Sequence, residues 1–551
     1  MTRWRLVRRY LPLFVVVAAQ GLIIGLVPST STTAGTPAGS AASPVGASAG
    51  VSAKPSGDRS HCSGDRQYSA SIDYYAPPCT PGTIGGSYDN GGSTSQGVTG
   101  KTITVVSIYA DAGAIVDSIL KGEGLYVSFD QTKQVNDAFQ NFINAHYVLW
   151  GRKLNIETYQ ATCQTVPPDY SCLLAEMDSI VSTYHPYAVD WVTTVCSECY
   201  ARLAQDHTVS LGGVGFSDAF ARANAPYFWS TGESSTRVEQ GFAKFWCSQL
   251  TSKDSGRTVR FAQDGNSAQK FNGHKRVLGV ISTYDPDNED TVTNVLVPAL
   301  NRDCGDGGSV AQHHYFYAQD INTAAQQINA GISAMDTSSD PATDVLCLCD
   351  PVAPELLYSG EQEHNYWPEN VLADVQGMGV DPVAQSYVPS PSRASLACPT
   401  PSQGCEFDTA FGITSGADLA PPAQQTGPKV FAAGGGTNLP TQPYVATGDW
   451  ENWNMLASLI ENAGPDLTPA RMASAAPSMG TTGGGTSGHP ELGFLPGSYD
   501  WTIDTRVVYW DKNAVSSYDH QPGTYVQIEG KRFLPDQYPQ LPEPPIPATR
   551  S

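Results

Sequence analysis

KTITVVSI (residues 101–108), TKQVNDAFQNFINA (132–145) and KLNIETY (153–159) follow one another as a β-branched run, an amphipathic stretch and a second strand-like run. Alternation of this kind is the pattern of a doubly wound α/β fold, in which helices cover a parallel sheet. It continues with strands at 188–193 and 209–212 and a helix at 172–183, which completes one α/β lobe. A second series repeats it: helix 235–249, strand 276–282, helix 290–302, strand 313–317, helix 321–335 and strand 344–349. Beyond these lie a Gly- and Pro-rich stretch at 389–447, a helix at 449–463, and strand-like 505–510 and 524–528. The expectation is therefore an α/β protein of two doubly wound lobes.

The flanks are of a different kind. Arg3, Arg5, Arg8 and Arg9 precede an apolar run at 11–27, which reads as a signal peptide or signal anchor over 1–27. Residues 28–98 are expected to form a spacer and N-terminal extension, with 29–57 dominated by Ser, Thr, Ala, Gly and Pro. Residues 534–551 form a Pro-rich tail. The net charge of −22 and the lack of a Lys/Arg cluster beyond the N-terminus argue against nucleic acid as a partner. The expected location is extracytoplasmic, secreted or at the cell surface, with any membrane attachment made through an uncleaved signal helix.

Twelve cysteines behind an export signal point to disulfides in an oxidising compartment. They fall into even groups: Cys62 and Cys79; Cys163, Cys172, Cys196 and Cys199; Cys247, Cys304, Cys347 and Cys349; Cys398 and Cys405. Cys347 and Cys349 alternate along a strand and share a face, so they are expected to reach Cys247 and Cys304 on packed helices. The Cys196/Cys199 spacing also permits a redox pair, a reading set aside because the surrounding β-α context differs.

The order of features resembles the leucine/isoleucine/valine-binding receptors of ABC transporters, over roughly residues 101–533. Carrying the resemblance are the helix 135–145 with Trp150, Gly151, Arg152 and Lys153 after it, and the strand and loop at 188–199. Pro226, Tyr227, Phe228 and Trp229 leading into Ser230 and Thr231, and the helix 453–464 with Asp466, Leu467 and Thr468, complete it. The family's Gly-Gly is replaced by Ala145, His146 and Tyr147. The resemblance implies the type 1 periplasmic-binding fold, with three crossings near Thr231, Gly377 and Tyr499. Lobe 1 would then comprise 99–231 and 378–498, with a loop insertion at 389–447, and lobe 2 would comprise 232–377 and 499–533. It also implies disulfides Cys163–Cys196 and Cys172–Cys199.

Ligand-binding candidates follow from the same resemblance. Ser197, with Thr194 beside it, matches the loop serine that holds a ligand carboxylate, against the plain reading of a helix cap. Ser217 is a second loop hydroxyl with the same alternative. Tyr284 and Asp285 follow a lobe 2 strand where an aromatic residue covers ligand. Asp350, and Asp374 or Gln376, stand where an acidic partner for an ammonium is expected. The acidic run Asp285, Asp287, Glu289 and Asp290 fails as an EF-hand, lacking Gly at its sixth position and carrying Leu296 at its twelfth. His313 and His314 lack partners at zinc-ligand spacing, and neither a metal nor a cofactor is expected.

No G-x-S-x-G elbow, H-E-x-x-H helix or phosphate-binding G-x-x-x-x-G-K-[ST] loop marks a catalytic site. The expectation is a non-enzymatic solute-binding protein that delivers a small polar ligand, an amino acid or related amide or carboxylate, to an ABC-transporter permease. A ligand sensor or cell-surface scaffold of the same fold is the alternative. A secreted hydrolase using Asp285 or Asp350 is a third reading.

Overall fold

The computed structural model of the chain describes residues 57–110, 126–163, 169–190, 196–212, 215–251, 262, 270–284, 287, 291–318, 321–350, 353–373, 378–389, 394–438, 448–484, 489–534 and 537. The signal at 1–27, the spacer up to residue 56 and most of the Pro-rich tail lie outside these residues. Among the described residues no helix is long and apolar enough to cross a membrane.

Five strands form the first sheet: β1 (Thr102–Tyr109), β2 (Lys153–Gln160), β3 (Ala188–Asp190), β4 (Val209–Gly212) and β5 (Phe228–Ser230). They are parallel throughout, in the order β2-β1-β3-β4-β5. The helices between them are α1 (Phe129–His146), α2 (Tyr170–Tyr184), α3 (Ser197–Gln205) and α4 (Asp218–Ala223). At the start of α1, Gln131 N donates to Ser128 Oγ while Ser128 N donates to Gln131 Oε1, a reciprocal cap that satisfies two otherwise free N–H groups. Val135, Ala138, Phe139, Phe142 and Ile143 then recur at helical spacing and are all buried, which fixes the face that α1 turns to the core.

Across the first crossing come α5 (Ser235–Phe245), β6 (Leu278–Thr283), α6 (Val297–Asp303), β7 (His314–Tyr317), α7 (Ile321–Thr337), β8 (Asp344–Leu348), α8 (Ala353–Glu363), β9 (Glu369–Ala373) and β10 (Phe411–Thr414). Their order, β10-β9-β8-β6-β7, is the first lobe's order repeated strand for strand. β6, β8, β9 and β10 are buried along their whole length, as strands covered on both faces must be. After β10 the chain returns to the first lobe, where α9 (Thr426–Ala433) packs on α1 and α10 (Trp450–Ala463) packs on α1 and β4. A short hairpin of β11 (Thr482–Gly483) and β12 (Glu491–Leu492) follows. The chain crosses a last time, and β13 (Thr505–Val515) and β14 (Pro522–Phe533) extend the second sheet as antiparallel strands beside β10.

The second crossing differs from expectation. β10 pairs with β9 and β13 in the second sheet, and Asp381 accepts bonds from Ser516, Thr524 and Tyr525 of that lobe. Residues 378–389 and 394–414 thus belong to lobe 2, and the chain crosses between Thr414 and Thr426, not near Gly377. A four-residue strand within a Gly- and Pro-rich stretch has too few residues to show a period.

Residues 57–100 also depart from a plain spacer. They wrap lobe 1 and bury Tyr68, Tyr74, Tyr75 and Ala76. Asp73 sits at the centre of the contact: it accepts from Tyr68 Oη (3.0 Å), Trp450 Nε1 (3.0 Å), Asn454 Nδ2 (3.1 Å) and Tyr75 N (2.8 Å). Arg152, from the turn before β2, ties the segment down through Gly92 O (3.2 Å), Thr99 O (2.8 Å) and Pro465 O (2.7 Å). Gly97 sits at positive φ, where a Cβ would come 2.0 Å from Tyr187 N, so no other residue fits this approach.

All twelve cysteines are paired: Cys62–Cys79, Cys163–Cys172, Cys196–Cys199, Cys247–Cys304, Cys347–Cys349 and Cys398–Cys405. The expected Cys163–Cys196 and Cys172–Cys199 links are therefore replaced by local ones. Cys347 and Cys349 do share a face, and they bond to each other across a Cα separation of 5.1 Å, which leaves Cys247 to close on Cys304.

Candidate functional site

The strand orders place the site. In each lobe the order reverses once, between β1 and β3 in the first and between β6 and β8 in the second. Successive crossovers leave the sheet on opposite faces there, and a crevice opens at the strands' carboxyl ends. Those ends meet across a gap, because Ser217, which follows β4, bonds to Asp287, which follows β6. Ser217 N donates to Asp287 Oδ2 at 2.7 Å and Ser217 Oγ to Asp287 Oδ1 at 2.5 Å.

The first and third crossings lie side by side at one end of this gap. Ser230 N donates to Tyr499 O, Trp501 N to Ser230 O and Thr502 Oγ1 to Thr231 O, at 2.9, 2.9 and 2.7 Å. Around them Arg237 donates to Ser498 Oγ (3.0 Å) and Thr502 O (3.1 Å), and lies 3.8 Å from the buried Asp500. Burial outweighs the nearby guanidinium groups and raises Glu233 to about 8, Asp500 to about 7 and Asp504 to about 6.

In lobe 1, Asp190 ends β3 opposite Ser107 of β1, at the reversal itself. It is fully buried, and its Oδ1 accepts from Asn452 Nδ2 of α10 at 2.8 Å. Asn452 Oδ1 accepts in turn from Thr231 Oγ1 at 3.1 Å, so the carboxylate is linked through one amide to the first crossing. Burial raises Asp449, the residue before α10, to about 7, and burial followed by the charge of Asp449 drives Asp190 well up. In lobe 2, Tyr317 Oη donates to Asp350 Oδ2 (2.5 Å), accepts from Asp350 N (3.0 Å) and lies 3.0 Å from Thr283 Oγ1. Asp350 follows β8, so the second reversal is also flanked by a carboxylate.

Solved structures resemble the chain in fold. A solute-binding protein of an ABC transporter from R. palustris, in complex with 4-hydroxybenzoate, matches 80% of this chain over 98% of its own length at 11% identity and TM-score 0.50. The chain has the type 1 periplasmic-binding fold. A fatty acid ABC transporter substrate-binding protein from Thermomonospora curvata matches 83% of this chain and 99% of its own at 13% identity and TM-score 0.49. A possible leucine/isoleucine/valine-binding protein from Rhodopirellula baltica matches 78% and 96% at 12% identity and TM-score 0.45. No family model matches the sequence, and no curated protein matches it.

Within this periplasmic-binding fold the expected site residues separate. Thr194, Asp285 and Asp374, with Gln376, lie outside the described residues. Ser197 is the first residue of α3 and is partly exposed; the cap itself is Cys196. Ser217 is buried and committed twice, capping Phe220 N at 2.9 Å and donating to Asp287. Tyr284 is 63% exposed at the end of β6, its ring edge-on to Phe316. Asp350 is held by Tyr317 and accepts from Ala353 N at the start of α8. His313 is buried, while Ser282 Oγ lies 2.7 Å from His314 Nε2. Among the described residues the one cluster of metal-ligand type is His61, Cys62 and Cys79, whose two sulfurs are bonded to each other.

Sequence reasoning did not single out Asp190, Asp449 or Asn452, nor the contact of Asp287 with Ser217. The available signal was an acidic residue directly after the apolar Ala188 and Val189. A carboxylate ending a buried parallel strand has no packing purpose.

Proposed function

We propose that the chain is an extracytoplasmic solute-binding protein that captures a small polar ligand, an amino acid or a related amide or carboxylate, between its lobes for an ABC-transporter permease. The observation that carries this reading is the pair of sheets with one strand order, whose carboxyl ends face one gap beside adjacent crossings. Such crossings act as a hinge: the gap opens by rotation about them and closes on ligand, and the closed state is what a permease would recognise. The R. palustris neighbour supports the reading, being itself a solute-binding protein with a bound carboxylate. The six disulfides suit an oxidising compartment.

A thermal-shift screen of the full-length chain against amino acids, amides, carboxylates and sugars tests this. A ligand at a hundred times its dissociation constant stabilises by about 2.7 kcal/mol. A shift that is concentration-dependent and accompanied by a smaller radius of gyration in scattering is the expected outcome; no shift across the panel overturns the reading.

One contact favours a second reading, a sensor or scaffold. Ser217 and Asp287 join the lobes directly, as a latch between them would. Asp287→Ala removes the acceptor for two donors. If the latch holds the lobes, the variant expands in scattering. If that expansion comes with faster ligand association, the latch gates capture and the transport reading gains; expansion with no ligand response favours the scaffold.

A further inference from the structure

We propose that Asp190 and Asp449 form the subsite for a cationic group of the solute, a primary ammonium or a guanidinium. This deepens, and rests on, the solute-binding reading. Asp190 Oδ1 is fixed by Asn452, whereas the buried Oδ2 has no hydrogen-bond partner. Among the described residues no Lys, Arg or His forms an ion pair with either carboxylate, and the titratable groups that feel Asp190 are Asp449 and the phenol of Tyr200.

The contrast within the same molecule is instructive. Asp344 and Glu369 are buried against Arg276, Asp504 against Arg532, and Asp500 beside Arg237. Each of those carboxylates has a guanidinium beside it. A buried carboxylate without one either holds a proton or meets a cation from outside. Asp190 stands at the strand-order reversal, where this fold opens a crevice, and Asp449 as a residue is only partly buried. Asp449 stands three residues before Asn452, one helical turn from the amide that holds Asp190, so the three donors of an ammonium can serve the free Oδ2 of Asp190 and the carboxylate of Asp449 together. Asn452 then links the loaded carboxylate through Thr231 to Thr502, on the first and third crossings, so occupation of the subsite is felt at the hinge.

The test is calorimetric titration of the full-length chain at pH 7 with matched pairs: butane-1,4-diamine against butane-1,4-diol, L-leucine against 4-methyl-2-oxopentanoate, benzylamine against benzyl alcohol. 4-Hydroxybenzoate and octanoate serve as cation-free anions. The expected result is binding by an amine, with its amine-free partner weaker by about 100-fold, and loss of at least about tenfold in Asp190→Asn, as for removal of one member of a desolvated charge pair. Should Asp190→Asn fail to fold, the wild type decides: binding of the amine in buffers of different ionisation enthalpy must release protons between pH 5.5 and 7.5. An absence of release overturns the subsite. Tight binding of a cation-free probe, unchanged in Asp190→Asn, overturns the subsite and leaves the solute-binding reading standing. Binding by no probe of either kind overturns both.

Discussion

Arg276 is enclosed completely, with Asp344 and Glu369 as its acid partners at 0% and 1% side-chain exposure. The three stand at the amino ends of β6, β8 and β9, which register side by side, so the triad pins the edge of the second sheet opposite the gap. A buried ion pair contributes little against an apolar replacement of the whole group, but removing one member strands the others in a medium that cannot solvate them. Arg276→Met is therefore expected to cost about 3–5 kcal/mol in urea unfolding. Lys133 and Asp137 give the opposite case at 3.0 Å, with side chains 54% and 52% exposed. Lys133→Met is expected to change stability by less than about 0.5 kcal/mol, since solvent screens that pair. Equal losses in the two variants would remove the argument from burial.

The elements that recur with a clear period were legible in the sequence: β4 spans the expected 209–212, and α1, α2 and α7 lie within a few residues of their expected ends. β5, β9, β10 and α3 were not, being short or lacking alternation. The segment 57–100 escaped for a different reason. It is anchored by scattered tyrosines, a Cys62–Cys79 bridge and a buried Asp73, none of which produces periodicity. The site was legible only by analogy, because its carboxylates come from a strand end, a helix start and a loop that topology alone brings together. That segment's weight is open to a direct check. A chain beginning at Thr99 loses the burial of Tyr68, Tyr74 and Tyr75 and leaves Trp450 Nε1 without its acceptor. At about 1.5–3 kcal/mol per buried large side chain, the expected loss is on the order of 5 kcal/mol, a large part of a domain's net stability. Unfolding of that variant should begin at visibly lower urea than for one beginning at Gly57; coincident transitions would show the wrap to be passive.

At the scale of the whole molecule, the hinge and its surroundings concentrate acids that prefer to be neutral. Glu233 and Glu239 are raised to about 8, Asp500 to about 7 and Asp504 to about 6, each chiefly by burial. In the unfolded chain the same groups titrate near 4. Between about pH 4 and pH 8 the folded state accordingly holds more protons than the unfolded state, and stability falls as pH rises, by up to about 1.4 kcal/mol per pH unit for each group within its own window. His314 acts in the other direction: burial lowers it to about 4, so acidification from about 6.5 downward costs stability as the unfolded imidazole takes up its proton first. The acids outnumber it, so the net slope stays negative from pH 5 to pH 8. The melting temperature is expected to drop by about 5 °C or more from pH 5 to pH 8 in calorimetry. Glu233→Gln, which fixes the neutral form, should flatten the slope across pH 5–8 without changing its sign. A melting temperature that rises over that interval would mean the hinge acids are charged in the folded state, and that Arg237 and Arg532, not protons, balance them.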